Sequence, residues 1–135
     1  MNTSGADCAC RGKNLDKMLQ PSILMVLYRE RLHGFALIQK LGESPMLRGC
    51  EPDKAGVYRY LKKMESAGLL VSDWETDSEN GKPRRVFEIT DGGRSCLISW
   101  MAMLKQYASA VSDLADDIEK TVKTPKYTEQ IAVRE

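Results

Sequence analysis

Between Asp53 and Ala67, four cations, Lys54, Arg59, Lys62 and Lys63, stand against two carboxylates, Asp53 and Glu65. Placed on a helix, Val57, Tyr60, Leu61 and Met64 share one side, and Ala55, Arg59, Lys62 and Ser66 share the other, with Tyr58 and Lys63 on the borders. Guanidinium and ammonium groups are donors without acceptors, and on an exposed face they suit phosphate oxygens and the acceptor atoms of base edges. The chemistry on offer is recognition of an anionic polymer, with an ordinary solvated helix face as the plainer reading of the same spacing. A second cationic group, Lys82, Arg84 and Arg85, follows Asn80-Gly81 beside a turn that can reach sugar and phosphate next to a groove.

Few other residues invite chemistry. Cys8 and Cys10 could bind a soft metal or form a redox pair, with Cys50 or Cys96 completing the site; buried or incidental thiols are the alternative. Four cysteines are few for a disulfide scaffold, so free thiols are expected. The chain has one histidine, His33, and it lacks a phosphate-cradling Gly-rich loop and a nucleophile with an obvious base. The expectation is therefore a binding protein, not an enzyme, and no cofactor.

At 135 residues with 42% hydrophobic content, the chain has the size and apolar share of one globular domain. Twenty Lys and Arg against 19 Asp and Glu leave a formal charge of +1, so attraction to nucleic acid must come from local clustering. The longest apolar run, Ile23 to Tyr28, falls far below the roughly 20 residues that span a bilayer, and no cleavable leader precedes it. The expectation is a cytoplasmic protein with no membrane partner.

These candidate groups need elements to hold them. Residues 1–14 are small and polar without apolar period and read as a flexible, cysteine-containing arm. A first helix, with Pro21 in its opening turn, runs to about Arg31, and Ile23 to Leu27 leave it almost no polar face. A short second helix carries Phe35, Leu37, Ile38 and Leu41 and stops at Gly42; the Pro-containing stretch from Glu43 to Pro52 is a turn region. Asp53 caps the third, cationic helix, which Gly68 ends. Two strands follow, Leu69 to Thr76 and Arg84 to Ile89, joined through Asn80-Gly81. Thr90 then caps a last helix of about 30 residues, about 45 Å long. Residues 121–135 read as a flexible tail.

Three helices followed by a hairpin describe a winged helix-turn-helix, a mainly α (α+β) fold that presents its third helix to a DNA major groove. In the last helix, Leu97, Leu104, Val111 and Ile118 recur as heptads beside Trp100, Tyr107 and Leu114, with Met101, Ala108 and Ala115 widening the stripe. Such a stripe needs a second chain. The domain reading is accordingly a winged-helix DNA-binding domain over 15–90 and a dimerisation helix over 91–120.

The residues from about Leu19 to Trp100 resemble the PadR-like transcriptional regulators. The likeness rests on His33-Gly34-Phe35 leading to Leu37-Ile38 and Leu41, and on Tyr58-Arg59-Tyr60-Leu61-Lys62-Lys63-Met64-Glu65-Ser66-Ala67-Gly68-Leu69, where Met64 stands for a usual Leu. It extends to Trp74, Gly81-x-Pro83-x-Arg85, Phe87 in a usual Tyr place, and Thr90-x-x-Gly93-Arg94. Two positions depart from the pattern: Gly56 stands where a Thr is common, and a long Pro-containing segment precedes the third helix. A single long C-terminal helix is similar to the short branch of the family. Cys8-x-Cys10-x-Gly12-x-x-Leu15 resembles a branch named for responding to polyhydroxybutyrate.

The resemblance implies a homodimer that represses transcription from double-stranded operator DNA and releases it on binding a small-molecule effector. The cationic third-helix face and the wing offer Lys54, Tyr58, Arg59, Lys62, Lys63, Lys82, Arg84 and Arg85 as the DNA contacts, and the family place of His33 implies a start-of-helix role. Trp100 is either one wall of a flat-ligand pocket or plain packing in the dimer stripe of Met101, Leu104, Tyr107, Val111, Leu114 and Ile118. A rival reading keeps the dimeric winged-helix shape as a protein-interaction module without DNA binding; a second makes it a thiol- or metal-sensing regulator through Cys8 and Cys10.

Overall fold

The apolar run Ile23 to Leu27 lies at the heart of the computed structural model, which describes residues 18–45, 52–76 and 81–125. These residues belong to α1 (Leu19–Arg29), and Ile23, Leu24 and Leu27 lose essentially all exposure to water. They meet Leu37 and Leu41 of α2 (Gly34–Leu41) and Val57, Leu61 and Met64 of α3 (Lys54–Ser66), all fully buried. Burying a side chain of this size contributes about 1.5–3 kcal/mol, so these positions dominate the fold's stability. Two buried hydroxyls behind α1 satisfy each other, with Ser44 donating to Ser22 at 3.3 Å.

Between α1 and α2 the backbone leaves the helical region. Glu30 is extended, and Leu32–His33 form a short strand, β1. The sheet therefore has three strands, not the two that the sequence suggests, in the order β1-β3-β2 and antiparallel throughout. The first helix stops at Arg29 rather than Arg31 because Leu32 pairs with Phe87 and His33 with Val86. A two-residue strand carries no periodic signal; a tertiary ladder creates it.

The wing is β2 (Leu70–Thr76) and β3 (Pro83–Ile89), in register from Leu70 opposite Ile89 to Thr76 opposite Pro83. Alternation puts Leu70, Ser72 and Trp74 on one face with Ile89, Phe87 and Arg85. Near the helices that face is buried at Leu70, Phe87 and Ile89; toward the tip it opens to solvent at Trp74 and Arg85.

Caps fix the ends of α3. The Asp53 carboxylate accepts the Gly56 N–H at 3.0 Å. At the other end Gly68 adopts φ +81°, its N–H donates to the Glu65 carbonyl and the Leu69 N–H donates to the Met64 carbonyl, both at 3.0 Å. This closing turn needs a left-handed residue, which glycine supplies without a β-carbon clash, and it hands the chain directly to β2. Thr90 accepts the Gly93 N–H at 3.0 Å and donates to the Gly68 carbonyl at 2.6 Å, starting α4 (Asp91–Val122) against the same turn.

The chain packs as two units, one reaching Ile98 and the other beginning at Ser99. The first is a winged helix-turn-helix. In the second, α4 keeps its helical form through Val122, two residues past the tail boundary that composition suggests. Its 32 residues give a rod of about 48 Å. Among the described residues, no helix is long and apolar enough to cross a membrane.

Candidate nucleic-acid interface

The amphipathic wheel of α3 is realised in space. Val57, Leu61 and Met64 are buried, while Ala55, Arg59, Lys62, Lys63 and Ser66 are exposed. Among the described residues, no carboxylate forms an ion pair with Arg59, Lys62 or Lys63, although Arg31, Lys40, Arg85, Arg94 and Lys123 all have one. The outer face of α3 thus presents cationic donors without a carboxylate partner among the described residues.

Lys54, in the first turn, lies 5.5 Å from the centre of the Phe35 ring, a cation–π distance. Tyr58, 46% exposed, packs over Gly34 at the start of α2. His33 is the N-cap of that helix, its Nδ1 accepting from the Ala36 N–H at 3.4 Å, which is the start-of-helix role that the sequence suggests.

The three cations of the wing differ in their surroundings. Lys82 is exposed near the tip. Arg84 places Nη1 3.3 Å from His33 Nε2. Arg85 is held on two sides: Nε donates to Ser72 Oγ at 2.8 Å and Nη2 to Glu65 Oε1 at 3.3 Å. Ser72 in turn donates to the Glu65 carboxylate, its Oγ lying 2.8 and 2.9 Å from the two oxygens. The guanidinium also lies 5.8 Å from the Trp74 ring. Arg85 therefore ties the wing to the end of α3 as well as lining its surface.

Between α2, α3 and the wing lies an open cleft of about 530 Å³, lined by His33, Gly34, Phe35, Tyr58, Trp74, Arg84 and Arg85. Tyr58, Arg84 and Arg85 are site residues read from the sequence; Phe35 and Trp74 are additions. Both are large rings turned to water, Phe35 at 55% and Trp74 at 62% exposure. The signal was available, since Phe35 falls off the buried Gly34-Leu37-Leu41 face of α2 and Trp74 lies beyond the last buried pair of the sheet.

On α4, the heptad residues divide. Trp100 and Leu104 are half-buried, while Met101, Tyr107, Val111, Leu114 and Ile118 are exposed, most by about half or more. A run of large apolar side chains in water is the mark of an association surface. Cys96 is a free thiol, 3.8 Å from Gln20 Oε1; Cys8, Cys10 and Cys50 lie outside the described residues.

The model of the transcriptional regulator PadR-like family matches residues 23–98 of this sequence. The chain belongs to that family. Members are transcriptional regulators that act by binding DNA, and the winged helix with its long last helix is the fold of solved PadR structures. A PadR-like regulator from Bacillus cereus superposes with a TM-score of 0.63 at 23% identity, over 75% of this chain and 94% of its own. A PadR-family regulator from Eggerthella lenta gives 0.58 at 27% identity, over 69% and 80%. A PadR-like transcription factor from Bacteroides fragilis gives 0.60 at 24% identity, over 82% and 98%. No curated protein matches the sequence.

Proposed function

We propose that this PadR-family chain is a homodimeric, ligand-responsive repressor of a near-palindromic operator in double-stranded DNA, working in the cytoplasm. Residues 15–90 serve as the DNA-binding domain and α4, from Asp91 to Val122, as the dimerisation helix, with the arm at 1–14 before them and the tail after. In this reading α3 enters the major groove with Arg59, Lys62 and Lys63 toward bases and phosphates, and Lys54 and Tyr58 contact the strand beside its first turn. Lys82, Arg84 and Arg85 approach the flanking backbone. The observation that carries the reading is the outer face of α3, whose cations lack carboxylate partners among the described residues and so stand ready to displace counter-ions from phosphates.

The heptad stripe of α4 supports pairing with a second copy through Trp100, Met101, Leu104, Tyr107, Val111, Leu114 and Ile118. Two copies would set their α3 helices in successive major grooves about 34 Å apart. An effector that prefers one spacing of the pair shifts operator occupancy by its differential affinity for the two arrangements. Trp100 serves the stripe as packing, and titrating a flat ligand while following indole fluorescence tests whether it also walls a pocket, a flat response leaving packing only.

The test is to capture genomic fragments of the source organism on the purified protein, sequence them, and measure mobility shifts across salt. A shared inverted repeat bound with steep salt dependence is expected. Failure to shift any fragment would leave a dimeric interaction module in its place.

A further inference from the structure

Gly56 sits in the first turn of α3, three residues before Arg59, and nothing in its backbone calls for glycine. It lies within the helix, and the positive φ values among the described residues belong to Gly68 and Gly81. Glycine is the poorest helix former after proline, so this position gives up helical stability. What glycine supplies here is room. A β-carbon at position 56 would fall 3.8 Å from Nη2 of Arg59 and 3.2 Å from Oδ2 of Asp53, the oxygen that caps the helix.

The two charged groups thus lean over the same bare patch of backbone. Long side chains on an α-helix run back toward its N-terminus, which carries the Arg59 guanidinium from the middle of α3 to the Gly56 backbone, one turn earlier. In a helix-turn-helix, residues at the N-terminal end of the recognition helix stand nearest the base edges. Arg59 is exposed there and has no carboxylate within ion-pair distance among the described residues. A planar fork of donors at this place matches the two acceptors, O6 and N7, that guanine offers in the major groove.

On the reading that α3 enters DNA, we propose that Gly56 is a positioning residue for base recognition: the space it leaves seats the Arg59 guanidinium over the first turn, where it reads the guanine of one G·C pair in each half-site. The contact is made by Arg59, and Gly56 sets its aim. A β-branched residue at position 56 crowds the side chain three positions on and turns the fork away. Alanine leaves the fork in place, because its methyl meets Nη2 at an ordinary contact distance.

The test uses anisotropy to compare the full chain with Gly56→Ala, Gly56→Val, Arg59→Ala and the variant carrying both Gly56→Val and Arg59→Ala. The duplexes are a fragment selected from the source genome, that fragment with each base pair of its half-sites changed in turn, and a random sequence. Circular dichroism checks folding, which both Gly56 variants should keep because each raises helix propensity. For the unaltered chain, changing one G·C pair should weaken binding about tenfold, a loss absent in Arg59→Ala. Gly56→Val should abolish most of that discrimination, and Gly56→Ala should keep most of it. In Gly56→Val, discrimination at the other pairs, affinity for the random duplex and the salt slope should all stay, since no cation has been removed. With Arg59 already replaced, Gly56→Val should add no further loss.

Full discrimination in Gly56→Val overturns the seat while leaving base reading by Arg59 intact. A loss in Gly56→Val that falls evenly on every duplex, the random one included, or that persists without Arg59, makes position 56 a matter of helix approach and also overturns it. An Arg59-dependent pair other than G·C, or none, overturns the guanine contact. Should the unaltered chain bind neither the selected nor the random duplex, the broader DNA-binding proposal fails first and takes this one with it.

Discussion

The ring of Tyr58 lies so close over Gly34 that a β-carbon there would fall 2.6 Å from Cε1 and 2.8 Å from Cζ, with Oη nearer still. The Tyr58 ring of α3 thus occupies the space that a β-carbon would take at the first turn of α2. Gly34→Ala should swing the half-exposed tyrosine aside and cost no more than about 1 kcal/mol in chemical denaturation, the gain in helix propensity offsetting part of the lost contact. In a Tyr58→Ala background the same change should cost much less, because the two residues share one contact. Additive losses would contradict this packing.

On the outer face of α3, Arg59 and the two lysines should separate by kind of effect. Arg59→Ala should cost about 1–3 kcal/mol on the selected operator and relax preference at one base pair. Lys62→Ala and Lys63→Ala should weaken all duplexes and each lower the salt slope by about one. Anisotropy titrations over a salt series would read both outcomes, and unchanged affinity with intact folding would remove α3 as the reader.

The cluster of Glu65, Ser72 and Arg85 should matter more for wing order than for global stability. Arg85 is half-exposed, so Glu65→Gln should cost no more than about 1 kcal/mol. Hydrogen exchange of the β2 and β3 amides near Ser72 and Arg85 should nevertheless quicken. Arg85→Lys should behave similarly, since an ammonium cannot span serine and carboxylate as the planar fork does. Unchanged exchange in both variants would count against the cluster as the tie between wing and helix.

For the dimer stripe, Val111→Glu and Leu114→Glu should yield monomers in sedimentation velocity at micromolar concentration, because each places a charge in the apolar seam. Gln106→Glu, exposed and about 200° around α4 from Leu104, should leave the dimer intact. A chain that is monomeric before any substitution would end the paired-helix account.

Much of this was legible from residue types and spacing. The α3 wheel, the Asp53 and Thr90 caps and the stop at Gly68 each follow from local chemistry, and each is met in space. β1 was not legible because Leu32 and His33 become a strand only when β3 arrives beside them. The cleft was hidden for the same reason, since Phe35, Tyr58 and Trp74 are far apart in sequence and share a wall only through tertiary packing. The tie of Arg85 to Glu65 spans 20 positions and leaves no periodic trace.

Only Ala67, Gly68 and Leu69 lie between the last residue of α3 and the first of β2, and all three donate backbone hydrogen bonds. There is no slack in that joint. The interval between what the helix touches and what the hairpin touches is a gauge cut into the polypeptide, so substitutions on the outer face of α3 can change the preferred bases without changing the footprint.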